Sequence, residues 1–142
     1  MIFSEIQKRK IRESFEEIQT IAAPLAHLFY GRLFVMDPSA KHLFKNDIRS
    51  QGAKLMEMLG AVVNALDRFD TLLPVLRELG HRHSVYGVRD EQYAIVASAL
   101  LWALGQGLEA QFDAETKAAW SALLNAVSSE MMAGAAEPVQ KA

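Results

Sequence analysis

The stretch LLPVLRELGHRHSVYGVRDEQYAIV, Leu72 to Val96, decides how the rest of the chain is read. Leu72, Leu76, Leu79, His83 and Tyr86 fall at steps of four, three, four and three, which is one face of an α-helix. Four of these five side chains are apolar or aromatic and one is an imidazole. His81 points elsewhere, beside Arg77 and Glu78 on the polar side. The HRH run therefore predicts one histidine in the core and one in water. A buried imidazole needs a partner, because an unpaired buried polar group costs ~1–3 kcal/mol. A backbone carbonyl satisfies it as a core histidine, and a metal satisfies it as a ligand. This helix alone leaves both open.

The 142 residues suit one domain able to bury a core without staples. We expect a single domain over 1–142, with its core in about 4–133 and a frayed tail over 134–142, GAAEPVQKA. Hydrophobic residues make up 51% of the chain, which leaves room for an apolar pocket as well as a core. A formal charge of -2 offers no basic field for nucleic acid. Cysteine is absent, which excludes disulfides, thiolate metal sites and cysteine nucleophiles. No apolar run is expected to reach the ~20 residues of a membrane span. MIFSEIQKRK lacks the order of a signal peptide. A cytoplasmic protein is the expectation.

Local signals divide the chain into helices. Ser4 and Gln7 fit a capping box, followed by Ile6, Ile11, Phe15 and Ile18 on one side. Pro24 sits in a first turn, and Ala23, Ala26, Tyr30 and Leu33 share a face of a helix reaching about Phe34. Asp37-Pro38 opens a short helix carrying Leu43 and Phe44. Asn46-Asp47 caps a helix to about Arg68 with a stripe of Ile48, Leu55, Leu59, Val62 and Leu66, and Gln51 intrudes on it. That glutamine either faces the interior or turns out to solvent. Thr71 precedes the histidine helix, Pro74 lies in its first turn and Gly87 ends it. Asp90 is expected to cap a helix over about 91–111, and Asp113 one over about 114–133. No segment alternates as a strand does. The expectation is all-α, seven helices of unequal length packed ridges into grooves.

Tyr30, Gln51 and His83 thus place three polar groups on buried faces of three helices. Phe44, Leu55, Val88, Tyr93 and Val96 are expected around them. An apolar pocket with an imidazole on one wall and two neutral donors on another suits a haem iron and a small ligand bound opposite. Hydrolytic zinc fits poorly, because no second ligand converges at the right spacing. Phosphate loops and the GxSxG motif are absent.

These segments resemble the bacterial single-domain globins of the flavohaemoglobin and Vitreoscilla haemoglobin lineage, and in pattern those of thermophiles and methanotrophs. The residues that carry the likeness are FYGRLF (Phe29 to Phe34), DPSAKHLF (Asp37 to Phe44), DIRSQGAKLMEML (Asp47 to Leu59) and RHSVYGVRDEQYAIV (Arg82 to Val96), with Trp120 on the last helix. The likeness covers about Glu5 to Met132. It implies a globin fold, seven helices packed three-on-three around haem b. It makes His83 the iron ligand and Phe44 the aromatic packed on the porphyrin, and gives Pro38 the turn before it. Tyr30 and Gln51 become a distal donor pair with Leu55 beside them; Gln51 stands where many animal globins place a histidine. Leu43, Val88, Tyr93 and Val96 become further haem contacts. Tyr93 matches a proximal tyrosine that in flavohaemoglobins joins a glutamate of the last helix; here Met131 and Met132 lie near that helix end, and Glu137 is followed by Pro138 in the tail. His27 and His42 are expected to be exposed. The implied function is reversible binding of O2, and of CO and NO. The alternatives are an NO dioxygenase using Tyr30 and Gln51 with a separate reductase, since the chain stops before any FAD or NAD domain, and a gas-responsive sensor.

Overall fold

A computed structural model describes residues 3–44 and 47–136. Among them there is no strand. Six α-helices are present: α1 (Glu5–Gln19), α2 (Ala22–Met36), α3 (Ile48–Asn64), α4 (Leu73–Tyr86), α5 (Asp90–Leu108) and α6 (Ala114–Ala136). The expected short third helix is a 3-10 helix, Pro38–Leu43, giving the seven helices of the sequence reading. Two further 3-10 segments, Leu66–Leu72 and Glu109–Gln111, lead into α4 and out of α5.

The capping box closes α1 as expected: Ser4 Oγ accepts from the Gln7 N–H, and Gln7 Oε1 accepts from the Ser4 N–H. The buried stripe of α1 is Lys8, Ile11, Ser14, Phe15 and Ile18, and Ile6 is exposed against expectation. The reason is helical phase: Ile6 lies five residues before Ile11, which rotates it well off the stripe, whereas Lys8 lies three before. Lys8 buries its stem and pairs its ammonium with Glu5 at 3.1 Å and Asp67 at 3.0 Å. Asp67 also accepts from Arg12, so the start of α1 is tied to the segment after α3.

Several boundaries differ from the sequence reading. Asp47 caps α3 through the Arg49 N–H, while Asn46 lies outside the described residues. That helix ends at Asn64, not near Arg68: Ala65 leaves the α region at φ -104° and ψ 15°, and the 3-10 segment that follows kinks at Arg68. Leu66 is still buried, but in the 3-10 segment. Thr71 does not cap α4; its hydroxyl donates to the Arg68 carbonyl. Asp90 is the first residue of α5 rather than its cap, and Gln92 supplies the side chain, accepting from the Arg89 N–H. Asp113 caps α6 through the Thr116 N–H at 2.8 Å. Ala23 is exposed, and α2 buries Leu25, Ala26, Phe29, Tyr30 and Leu33. The last helix runs to Ala136, and Gly134, expected in the tail, is buried in it. Residues 137–142, Glu137 among them, lie outside the described residues.

α5 pairs with α2, and α6 packs on both α1 and α4. Residues 90–111 are long and apolar enough, by composition alone, to cross a membrane, contrary to the expectation that no run would be. Ala99, Leu100, Ala103 and Leu104 of this helix are at most 2% exposed in the shared core, while 33% of the apolar window as a whole is buried. Trp120 of α6 is fully buried and donates its indole N–H to Ser14 Oγ at 2.8 Å. Ser14 in turn donates to the Lys10 carbonyl. Ser14→Ala strands the indole donor in the core. Urea unfolding of the haem-free protein is expected to show a loss of ~1–3 kcal/mol, and an unchanged midpoint would mean that water reaches the indole.

Candidate functional site

α4 carries the imidazole. Its last turn closes on Gly87, which takes the left-handed conformation at φ 104°. The Val88 N–H then reaches back to the His83 carbonyl at 2.9 Å. His83 is half-buried, and its Nδ1 lies 2.8 Å from the Leu79 carbonyl oxygen. A carbonyl only accepts, so Nδ1 carries the proton and Nε2 keeps its lone pair. Burial, the largest influence, lowers the pKa of His83; the Leu79 carbonyl opposes that shift and Arg82 adds to it. The ring is neutral at pH 7, with one nitrogen oriented by the backbone and the other free to bind a metal.

The other face of the expected helix stripe is partly wrong. Leu76 is buried and Leu79 half-buried, but Tyr86 is 73% exposed. α4 docks on α6 around Gly80, so its final turn, with Val85 and Tyr86, extends beyond the contact. His81, expected in water, is half-buried.

α2 meets α3 at Gly52, where a Cβ would lie 2.9 Å from Ala26 Cβ and 3.8 Å from Tyr30 Cε2. Gln51 is the residue before it. Gln51 is half-buried, neither core nor fully solvated. Tyr30 is 5% exposed and sits in an aromatic cluster, its ring 4.8 Å from Phe29, 5.1 Å from Phe44 and 6.1 Å from Phe34. Phe44 meets it edge-on at 74°. Burial pushes the Tyr30 phenol up to about 12, so it holds its proton at any physiological pH. Neither the Tyr30 hydroxyl nor the Gln51 amide has a hydrogen-bond partner among the described residues.

Leu43 links the two halves, since a Cβ on Gly87 would lie 3.8 Å from its Cδ2. Leu43, Phe44, Leu55, Val88 and Val96 are all half-buried, and all but Leu43 are packed against the core. Tyr93 is buried, and its hydroxyl is the one sealed side-chain polar atom among the described residues with no partner. Burial raises its pKa, and Asp90 adds to the shift. His27 and His42 are exposed, as expected.

Sequence reading missed three participants. Gln92 donates to Asp37 Oδ2 at 3.0 Å and so ties the start of α5 to the turn before Leu43 and Phe44. Phe34, read only as a helix end, stacks on Tyr30. Gly52 was passed over although a glycine inside a helical stripe, next to a buried-face glutamine, signals close backbone approach.

Among the described residues no three His, Asp or Glu side chains converge on a metal position. A single imidazole with a free Nε2 suits a metal whose remaining ligands come from a macrocycle. The half-buried apolar lining and the unpartnered donors fit haem and a small polar ligand.

The globin family profile matches residues 27–131. The chain belongs to the globin family. Its fold is the globin fold, and the family binds haem and, through it, small gas molecules. This globin is 29% identical to neuroglobin of Danio rerio, 27% identical to neuroglobin-1 of Oncorhynchus mykiss and 28% identical to neuroglobin of Chaenocephalus aceratus. Each match covers 92% of this chain and 91% of the relative. These relatives are vertebrate proteins, so they give no support to the bacterial lineage that the sequence segments resemble.

A phenol pushed up to about 12 has a consequence for stability. The fold favours the neutral ring, so its contribution is intact below the unfolded value near 10 and is lost as pH rises toward about 12. Ultraviolet titration of the haem-free globin is expected to show a late phenol ionisation that Tyr30→Phe removes. A Tyr30→Phe variant with the same late step would assign it to another tyrosine.

Proposed function

We propose that this globin binds one non-covalent haem b through His83 and reversibly holds O2, with CO and NO as competing ligands, between the haem and the Tyr30–Gln51 pair. The observation that carries the reading is the His83 ring itself: Nδ1 is held by the Leu79 carbonyl at 2.8 Å and Nε2 is left free in a half-buried site. The haem iron supplies reversible coordination of diatomic gases. The protein supplies the axial nitrogen, the dry walls and the donors. Phe44, Leu43, Leu55, Val88 and Val96 provide apolar surface for the macrocycle, and Phe44 also fixes the Tyr30 ring from its edge.

Tyr30 and Gln51 act on a ligand oxygen that has gained negative charge. A phenol O–H pinned by three aromatic neighbours gives one well-directed hydrogen bond and loses little entropy in doing so. Gln51 has more rotatable bonds and a less buried position, so its amide is the weaker donor. Reversible O2 binding is preferred over NO dioxygenation because it needs no co-reactant or electron supply beyond what the proposed site holds.

His83→Ala is expected to abolish or greatly weaken haem uptake, and acid-acetone should strip the haem from the wild type completely. Full haem retention with an unaltered ferrous spectrum in His83→Ala would move the axial ligand to another residue.

Tyr30→Phe deletes one donor and keeps the ring's shape. If that bond contributes ~1.4–3 kcal/mol, O2 dissociation accelerates roughly 10- to 150-fold. Gln51→Leu moves it in the same direction by a smaller factor, and CO dissociation changes far less in both. Equal acceleration of O2 and CO in Tyr30→Phe would mean that the pocket had opened sterically, and an unchanged O2 rate would remove Tyr30 from the site.

A further inference from the structure

Gly80 and Gly134 mark a close contact between α4 and α6. A Cβ on Gly80 would lie 1.8 Å from the Met131 carbonyl oxygen, and a Cβ on Gly134 would lie 1.9 Å from the Arg77 carbonyl oxygen. The contact is reciprocal. Residues 77 and 80 of one helix meet residues 134 and 131 of the other, backbone against backbone, with a spacing of three on each side. Arg77 and Glu130 pin the same crossing from the surface, Nε to Oε1 at 3.0 Å. No side-chain repacking relieves a Cβ there, because the obstructing atoms belong to helical backbone.

The crossing lies directly beneath the axial histidine. Gly80 adjoins Leu79, whose carbonyl holds His83 Nδ1, and it precedes His83 by three residues, about one helical turn. A helix turn moves as a unit, so a displacement of α4 at Gly80 carries the Leu79 carbonyl and the imidazole with it. α6 is anchored at its other half by the fully buried Trp120 and Leu123. The far end of the chain's last helix therefore fixes the helix that carries the ring.

We propose that the Gly80–Gly134 clasp, with the Arg77–Glu130 pin, positions His83 for its bond to iron. Gly134, which is 51 residues from the histidine in sequence, is then a positioning residue for the axial ligand. The proposal rests on the haem reading given above. Substituting a Cβ at either glycine forces α4 and α6 apart by well over an ångström and shifts the ring relative to the haem.

The test is resonance Raman spectroscopy of the ferrous, ligand-free holoprotein, read at the iron–histidine stretching band, together with the rate of haem loss to an excess of apomyoglobin. Gly134→Ala is expected to move and broaden the band and to speed haem loss by roughly 10- to 100-fold. Glu130→Gln, which leaves the helix backbone contact in place, is expected to move both readouts in the same direction by less. Gly107→Ala is the control: its Cβ would crowd Ile21 Cδ1 at 2.9 Å and Leu25 Cδ1 at 3.0 Å, against other helices. It should lower thermal stability and leave the band in place. A wild-type protein with no iron–histidine band overturns the haem reading. A wild-type band that stays put in Gly134→Ala, or that moves equally in Gly107→Ala, overturns the clasp alone. Should Gly134→Ala fail to fold, an unmoved band and unchanged haem loss in Glu130→Gln overturn it equally.

Discussion

Two helices approach most closely where a Cβ is missing between them, and this chain uses that constraint at Gly52, Gly80 and Gly134. Gly52 lets α3 settle on α2 at Ala26, and Gly80 and Gly134 let α4 settle on α6. Ordinary helix pairs stand 8–10 Å apart, held off by their side chains. Removing the side chains at chosen points fixes each pair in position and crossing. The first contact brings α3 against the helix of Tyr30, and the second brings α6 against the helix of His83.

One buried donor breaks the usual rule that such groups find partners. Among the described residues the Tyr93 hydroxyl is sealed without one. Elsewhere the chain follows the rule closely. Trp120 has Ser14, Gln92 has Asp37, and the buried Lys8 has two carboxylates. These satisfied polar groups each join one element to another. An unpartnered donor costs stability in the protein alone and becomes useful when a ligand supplies the acceptor.

The all-α fold was legible because α1, α3 and the Leu72–Val96 stretch repeat apolar residues at helical spacing, and because Ser4, Asp47, Gly87 and Asp113 punctuate them. His83 was legible for the same reason, as a polar residue on an apolar stripe. Tyr86 was misread because periodicity describes a face and not where the neighbouring helix stops. Ile6 was misread because an apolar residue was preferred over Lys8, whose stem is apolar and whose charge is paired. The breaks at Asn64 and Leu72 were missed because 3-10 segments keep an approximate helical spacing while changing phase. Gly134 looked like tail for want of bulk, although its lack of bulk is what buries it.

The half-buried lining also ties ligand occupancy to the stability of the whole chain. Leu43, Phe44, Leu55, Val88 and Val96 each leave apolar surface in contact with water in the protein alone. Covering such surface is worth ~25 cal/mol per Å². A group that binds the folded chain and not the unfolded one stabilises it by mass action, by ~2.7 kcal/mol at a hundredfold excess over its dissociation constant. The elements that gain are those with the fewest internal ties: the 3-10 turn Pro38–Leu43, held by Asp37 to Gln92 and Ser39, and the last turn of α4, where Val85 and Tyr86 are exposed. α1, α6 and the inner half of α5 are held by Trp120, Ser14 and the buried Ala99, Leu100, Ala103 and Leu104, and gain little directly. In the haem reading proposed above, binding tightens these two segments onto the scaffold formed by α1, α5 and α6.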